Sequence, residues 1–188
     1  MPKNQDIEFL IIERCKDGDK KSQDMIYQQY SHAMYNTALR IVKDTQEAED
    51  IMQEAFLDAF RKLSQFEAKA SFGAWLKRIV VNKSLDSIRQ HLNFEDIDEI
   101  EEPAQSTPSY FEQEHTDYKV EEIKKSLNQL SNKDRIILLL YLFEGYDHGE
   151  IGQILEISHG TARTRYSRAR KNLLRTINQN RTLQSFLS

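Results

Sequence analysis

Between Asn93 and Asp117 the chain reads NFEDIDEIEEPAQSTPSYFEQEHTD, a run rich in carboxylates, without lysine or arginine, that holds two of the protein's three prolines. No other stretch limits the possible folds so strongly. Its like charges repel and favour extension, and its few apolar side chains do not offset the entropy of ordering it. It divides the 188 residues into a first part (1–92), a linker (93–117) and a last part (118–188). Each folded part is then smaller than the usual domain of about 100–150 residues, so two small cores are expected rather than one large one. Six glycines and three prolines in the whole chain, with 30% of residues charged, favour helix over sheet. The expected fold is all-α: two small helical domains joined by a flexible acidic linker.

In the first part the apolar spacing predicts helices over about Asp6–Lys16 and Ser22–Val42, separated by a break at DGDK. Tyr27, Tyr30, Met34, Ala38 and Ile41 recur at helical spacing along the second of them. Asp44 followed by Glu47 makes a capping box for a third helix ending near Leu63. After the loop SQFEAKA, Ser71 is placed to cap a fourth, FGAWLKRIVVNKSLDSIRQHL. In the last part, Ser131 with Asp134 starts a helix through IILLLYLF, Gly145 ends it, and Asp147 with Glu150 forms another capping box. That next helix is short, ending near Leu155. EIS then makes a tight connection, and Ser158 caps the basic segment HGTARTRYSRARKNLLR.

Several function classes find no support. The longest apolar run, Ile136 to Phe143, is far below the roughly 20 residues that span a bilayer. The N-terminal MPKNQDIEFLIIERC lacks the basic-then-apolar layout of a signal peptide. No membrane insertion and a cytoplasmic location are therefore expected. The single cysteine, Cys15, rules out an internal disulfide and a multi-cysteine zinc site, and the five histidines fall in five segments that fit no metal-ligand spacing. No metal and no cofactor are expected. Phosphate-loop glycines, a serine nucleophile elbow and a Cys-His pairing are all missing, so the chain does not read as an enzyme.

Three helix faces carry the remaining information. On the basic segment, Ala162, Tyr166, Ala169 and Leu173 share one side, while Arg163, Thr164, Ser167, Arg168 and Lys171 share the other. The net charge is -4, yet no acid occurs from Ile157 to Ser188. A short helix, a tight turn and a basic helix make the helix-turn-helix layout, whose second helix enters the DNA major groove. Arginine suits that task because its fork matches O6 and N7 of guanine. The second face is acidic: Glu47, Asp50, Glu54 and Asp58 form a stripe that reads equally as a solvated face or as the footprint of a basic protein partner. The third, with Trp75, Arg78, Asn82 and Arg89, reads either as part core, part surface, or as a site for unstacked bases.

Taken together, AEDIMQEAFLDAFRKL with SFGAWLKRIVVNKSLDSIR, and LNQLSNKDRIILLLYLFEGYDHGEIGQILEISHGTARTRYSRARKNL after the linker, resemble regions 2 and 4 of the extracytoplasmic-function (ECF) sigma factors of the sigma-70 family. The resemblance covers nearly the whole chain and keeps the family's order and spacing. It implies a subunit that binds core RNA polymerase, through its clamp coiled coil and its flap, and directs promoter-specific initiation. Asp50, Gln53 and Glu54 would meet the coiled coil. The loop from Phe66 to Ser71, with Trp75, Arg78 and Asn82, would take a flipped base of the melted minus-ten element. Arg163, Thr164, Ser167 and Arg168 would face the minus-thirty-five element, and the linker would thread toward the channel where RNA travels. Promoter DNA and an anti-sigma factor are the further partners implied.

Three positions depart from the family pattern. Glu156 stands in the tight turn, where glycine is frequent, and Gly149 and Gly152 sit in the preceding helix. At about 1 kcal/mol per interior glycine relative to alanine, they are expected to loosen the helix-turn-helix. The alternative reading is a helix-turn-helix DNA-binding regulator without sigma activity, which leaves the first four helices without a task.

Overall fold

The computed structural model describes residues 4–91 and 120–187; the segment expected to act as linker, 93–117, lies outside them. The chain divides into two compact units, with the division between Asp98 and Glu99. Among the described residues every regular element is a helix, and no helix is long and apolar enough to cross a membrane.

The first unit contains α1 (Asn4–Lys16), α2 (Lys20–Val42), α3 (Thr45–Arg61), a single 3-10 turn (Leu63–Gln65) and α4 (Phe72–His91). The break at DGDK is itself a cap: the Asp19 carboxylate accepts the backbone N–H groups of Lys21 and Ser22 and the Ser22 hydroxyl, so α2 begins two residues before its predicted start. These bonds hold the Asp19 carboxyl below the usual aspartate range. Asp44 caps α3, accepting from the N–H of Glu47 at 2.8 Å, but this is only half of the predicted capping box, the Glu47 carboxylate accepting instead from the Ser87 hydroxyl on α4; Ser71 caps α4 through the N–H of Ala74 at 3.2 Å. Helix α2 packs against α1, α3 and α4. Ala38, Ala48, Ala55 and Ala59 are wholly buried, and side chains this small let helix axes approach closely. Along α4, Phe72, Leu76 and Val80 recur every four residues and are buried, each contributing about 1.5–3 kcal/mol. That stripe leaves the opposite face of α4 to solvent. Cys15 is a buried core residue whose thiol is pushed up to about 11 by burial, which keeps it neutral and inert.

The second unit contains α5 (Val120–Leu127), α6 (Asn132–Leu142), α7 (His148–Leu155) and α8 (His159–Leu187). Helix α8 is its spine, since α5, α6 and α7 all pack on it through Ala162, Ala169, Leu173 and Ile177. The predicted capping box at α7 is complete, with Asp147 accepting from the Glu150 N–H at 2.8 Å and Glu150 accepting from the Asp147 N–H at 2.9 Å. Helix α5 has no counterpart in the periodicity reading. It is tied to the far end of α8, where Arg181 donates twice to Glu122, at 2.9 and 3.3 Å, and Asn180 donates to Ser126 and Gln129.

The turn between α7 and α8 corrects one expectation about the glycines. A Cβ at Gly152 would stand 2.8 Å from the Ile157 carbonyl oxygen. Gly152 therefore lets the turn fold flat against α7 instead of loosening it. Its carbonyl also accepts from the N–H of Glu156 and, at 2.9 Å, from that of Ile157. Glu156, by contrast, takes a left-handed backbone with φ 58°, a conformation that strains a residue with a Cβ by about 1–2 kcal/mol. Glycine would relieve that strain but lose about 0.5–1 kcal/mol more entropy on folding. Glu156→Gly is expected to stabilise the second unit by a net ~0.5–1 kcal/mol, seen as a rise of a few degrees in its melting temperature.

Candidate functional site

The acidic face of α3 is reshaped by α4. Of the four carboxylates on the predicted stripe, Glu47 accepts a hydrogen bond from the Ser87 hydroxyl, and Glu54 and Asp58 share the Lys83 ammonium at 3.1 and 3.0 Å. Lys83 holds the Asp58 carboxyl below the usual aspartate range, outweighing the opposing effect of burial. Asp50, Gln53 and Glu54 remain exposed on the outer face of α3. Leu57, one turn further on, is 55% exposed and extends this face with an apolar side chain. Neither Leu57 nor Lys83 stood out in the sequence, because which apolar and basic side chains flank the stripe is settled by how α3 and α4 cross.

The residues expected to handle an unstacked base divide into supports and exposed groups. Phe66 departs from the expectation of an open loop side chain: it is 9% exposed, with ring centroids 5.7 Å from Phe72 and 5.4 Å from Trp75. Burial of a large ring at the base of a loop anchors it, so Phe66 fixes where the loop starts while Glu67 to Ser71 stay exposed. Ala68 within it takes φ 54°, giving the loop a sharp local turn. Trp75 and Arg78 are half-buried, and Trp75 completes the ring cluster. Asn82 is exposed on the same side of α4. Arg89 is turned to Asp86 at 3.1 Å within α4.

In the second unit Arg163, Thr164, Ser167 and Arg168 are all exposed, while Ala162, Ala169 and Leu173 are buried, as the helical wheel requires. Ser158 caps α8 by accepting from the Thr161 N–H at 3.0 Å. The Arg168 side chain is 63% exposed, and its nearest carboxylate is Asp134 at 4.0 Å, which is already engaged by Asn172 at 2.7 Å. Arg168 is thus held loosely from below and open above. Behind the exposed face, Tyr166 packs on Tyr141 at 4.3 Å, and the His148 ring stacks on Tyr141 at 4.9 Å. This cluster joins α6, α7 and α8 and sets the angle at which α8 leaves the turn. Burial, with the nearby His159 and Arg163 adding to it, holds His148 below the usual histidine range and so neutral at pH 7. His148 and His159 meet at 6.3 Å although they lie in different segments of the sequence.

Residues 26–93 match the family model for sigma-70 region 2, and residues 120–173 match that for sigma-70 region 4. The RNA polymerase sigma-H factor of Pseudomonas aeruginosa is 30% identical over 181 residues, covering 89% of this chain and 92% of its own. The ECF RNA polymerase sigma factor SigW of Bacillus subtilis is likewise 30% identical over 181 residues, covering 89% of this chain and 96% of its own. The chain belongs to the ECF sigma factors of the sigma-70 family. All the exposed positions described above lie inside the two matched stretches of this sigma factor, whereas α1 and the end of α8 lie outside them. Among solved structures, the sigma factor RpoE of Bartonella quintana, in complex with the anti-sigma factor NepR, is similar with a TM-score of 0.56 and 25% identity. It covers 82% of this chain and 96% of its own. CnrH, in complex with the cytosolic domain of CnrY, shares the fold at a TM-score of 0.57 and 18% identity, over 90% of this chain and 96% of its own.

Proposed function

We propose that this sigma factor divides its work between the two units: residues 1–92 bind core polymerase and open the minus-ten element, residues 118–188 read the minus-thirty-five element, and 93–117 link them. In the first unit the outer face of α3, with Asp50, Gln53 and Glu54, accepts the clamp coiled coil of core polymerase. On the adjoining α4, Asn82 reads the edge of an unstacked minus-ten base, while Phe66, Trp75 and the Ser71 cap hold the loop Glu67–Ser71 at the N-terminal end of the same helix. In the second unit Arg163, Thr164, Ser167 and Arg168 enter the major groove. The flap is the polymerase element for the second unit. The protein itself performs no bond chemistry: it recruits and orients the polymerase, which does. An anti-sigma factor is a further partner, a reading supported by the Bartonella relative's complex with one.

The observation that carries this reading is charge placed by task. Helix α3 carries an exposed acidic face, α4 packed against it carries an exposed asparagine and follows a ring-anchored loop, and the reading face of α8 has no acid anywhere along it. A DNA-binding regulator without sigma activity uses only the second of these. The test is therefore double. The full chain is expected to co-purify with core polymerase in the absence of DNA, and run-off transcription is expected to depend on it. Arg168→Ala is expected to lower activity on the cognate promoter by about 1–3 kcal/mol equivalent without unfolding the domain. Loss that is uniform across promoter variants marks a phosphate contact, and relaxed preference at one minus-thirty-five position marks a base contact. Unchanged activity across the whole promoter set removes the assignment of this α8 face.

A further inference from the structure

On α3, Glu54 and Asp58 stand one turn apart, a spacing at which like charges repel by a few tenths of a kcal/mol. Lys83 reaches across from α4 and places its ammonium 3.1 Å from Glu54 Oε2 and 3.0 Å from Asp58 Oδ2. It lies partly inside the crevice, its side chain 25% exposed, whereas the Glu54 side chain is 66% exposed. One Glu54 oxygen is thus pinned on the α4 side while the rest of the side chain faces outward. A glutamate left to itself samples many rotamers, and fixing such a side chain at an interface costs about 0.5–1.5 kcal/mol. Partial burial works against the ammonium, but its bonds to Asp58 and Glu54 outweigh that and keep Lys83 above the usual lysine range, charged at any physiological pH. Lys83 also directly follows Asn82.

We infer that Lys83 is a positioning residue for polymerase binding: it neutralises Asp58 and holds the Glu54 carboxylate in the orientation that the clamp takes up. This rests on the assignment of Asp50, Gln53 and Glu54 as the polymerase-binding face. Two effects of losing Lys83 oppose each other. The face becomes more negative, which strengthens long-range attraction to a basic partner and acts on the association rate. Glu54 becomes loose, which weakens the formed contact and acts on the dissociation rate. The second is read separately from the first.

The experiment follows dissociation of the full-length sigma factor from core polymerase for the parent, Lys83→Met, Lys83→Arg, Glu54→Gln and the Lys83→Met/Glu54→Gln pair, with thermal melts of each. Methionine keeps the apolar stem of the lysine without its charge, and arginine keeps the charge. Lys83→Met is expected to speed dissociation roughly three- to fivefold, the upper end of what an exposed ion pair is worth. Lys83→Arg is expected to stay within about twofold of the parent, and Lys83→Met is expected to add nothing once Glu54 is glutamine. Dissociation that is unchanged or slower in Lys83→Met overturns the inference. So does an equal acceleration in the Glu54→Gln background, because Lys83 then acts through something other than Glu54. If Glu54→Gln itself leaves dissociation untouched while Lys83→Met speeds it, the assignment of Glu54 to the polymerase face fails, and the positioning role falls with it.

Discussion

Reversing Asp50 and Glu54 together to lysine is expected to abolish co-purification with core polymerase, a loss of at least about a hundredfold in affinity. The magnitude follows from two like-charge contacts replacing two opposite-charge ones, each worth a few kcal/mol at a docked interface, with about 1.4 kcal/mol per tenfold. Both side chains are exposed, so the fold should barely register the change. The one internal consequence is that a lysine at 54 faces Lys83, which forfeits an ion pair of at most about 1 kcal/mol. Asp24→Lys, at an exposed position on α2, serves as the control for charge reversal elsewhere on this unit and is expected to bind core normally. The measurement is co-purification at two salt concentrations together with the helical circular dichroism signal. Binding by the double variant that matches the Asp24→Lys control would remove α3 as the polymerase face.

Gly152→Val is expected to destabilise the second unit by a net ~1–2 kcal/mol, against the general rule that replacing a helix-interior glycine helps. A side chain there would gain part of the ~1 kcal/mol that glycine forgoes in a helix. It would also drive a Cβ to 2.8 Å from the Ile157 carbonyl oxygen, with the backbone N of His159 already in contact behind it at 3.5 Å. These are backbone atoms, so nothing swings aside, and overpacking of this kind costs about 1–3 kcal/mol or more. A unit this small commands about 0.05–0.15 kcal/mol per residue in total, so the loss takes a large share of it. Because the displaced turn launches α8, Arg163 to Arg168 lose their placement. Transcription that depends on the minus-thirty-five element is expected to collapse, while core binding through α3 persists. Hydrogen exchange of the α7 and α8 amides locates the damage, and a raised melting temperature would show that the turn has room after all.

Helix starts were legible because a cap is a local contract between a side chain and a backbone N–H three residues on, so Asp44, Ser71, Ser131, Asp147 and Ser158 each announced an element from its own neighbourhood. The two faces of α8 were legible for a similar reason, since a period of 3.6 assigns sides without reference to anything else. The division into two helical units also followed from composition alone. Helix α5 was not legible: eight residues do not hold a helix in water, and this one is held by packing on α8 and by bonds from Asn180 and Arg181, more than fifty residues away. The part Gly152 plays is hidden from the sequence for the same reason, because helix propensity is a property of the isolated segment while the Ile157 carbonyl belongs to the returning chain.

The candidate site divides along the same line. Residue types and spacing picked out Asp50, Glu54, Asn82, Arg163 and Arg168, and all of them stand exposed. The resemblance placed Phe66 in the loop that takes a flipped base, whereas the approach of that loop to α4 turned its ring into the core against Phe72 and Trp75. The stripe on α3 was a property of one helix; that Lys83 closes on two of its members and Ser87 on a third depends on where α4 lies. By itself, then, the sequence determined the helices that a cap or a sustained apolar period marks, and which faces carry charge, because those are decided within a few residues by caps, periodicity and like-charge repulsion. Only the tertiary structure decided which charges remain available to a partner and which rings support a loop, because both depend on the approach of segments that local interactions do not connect.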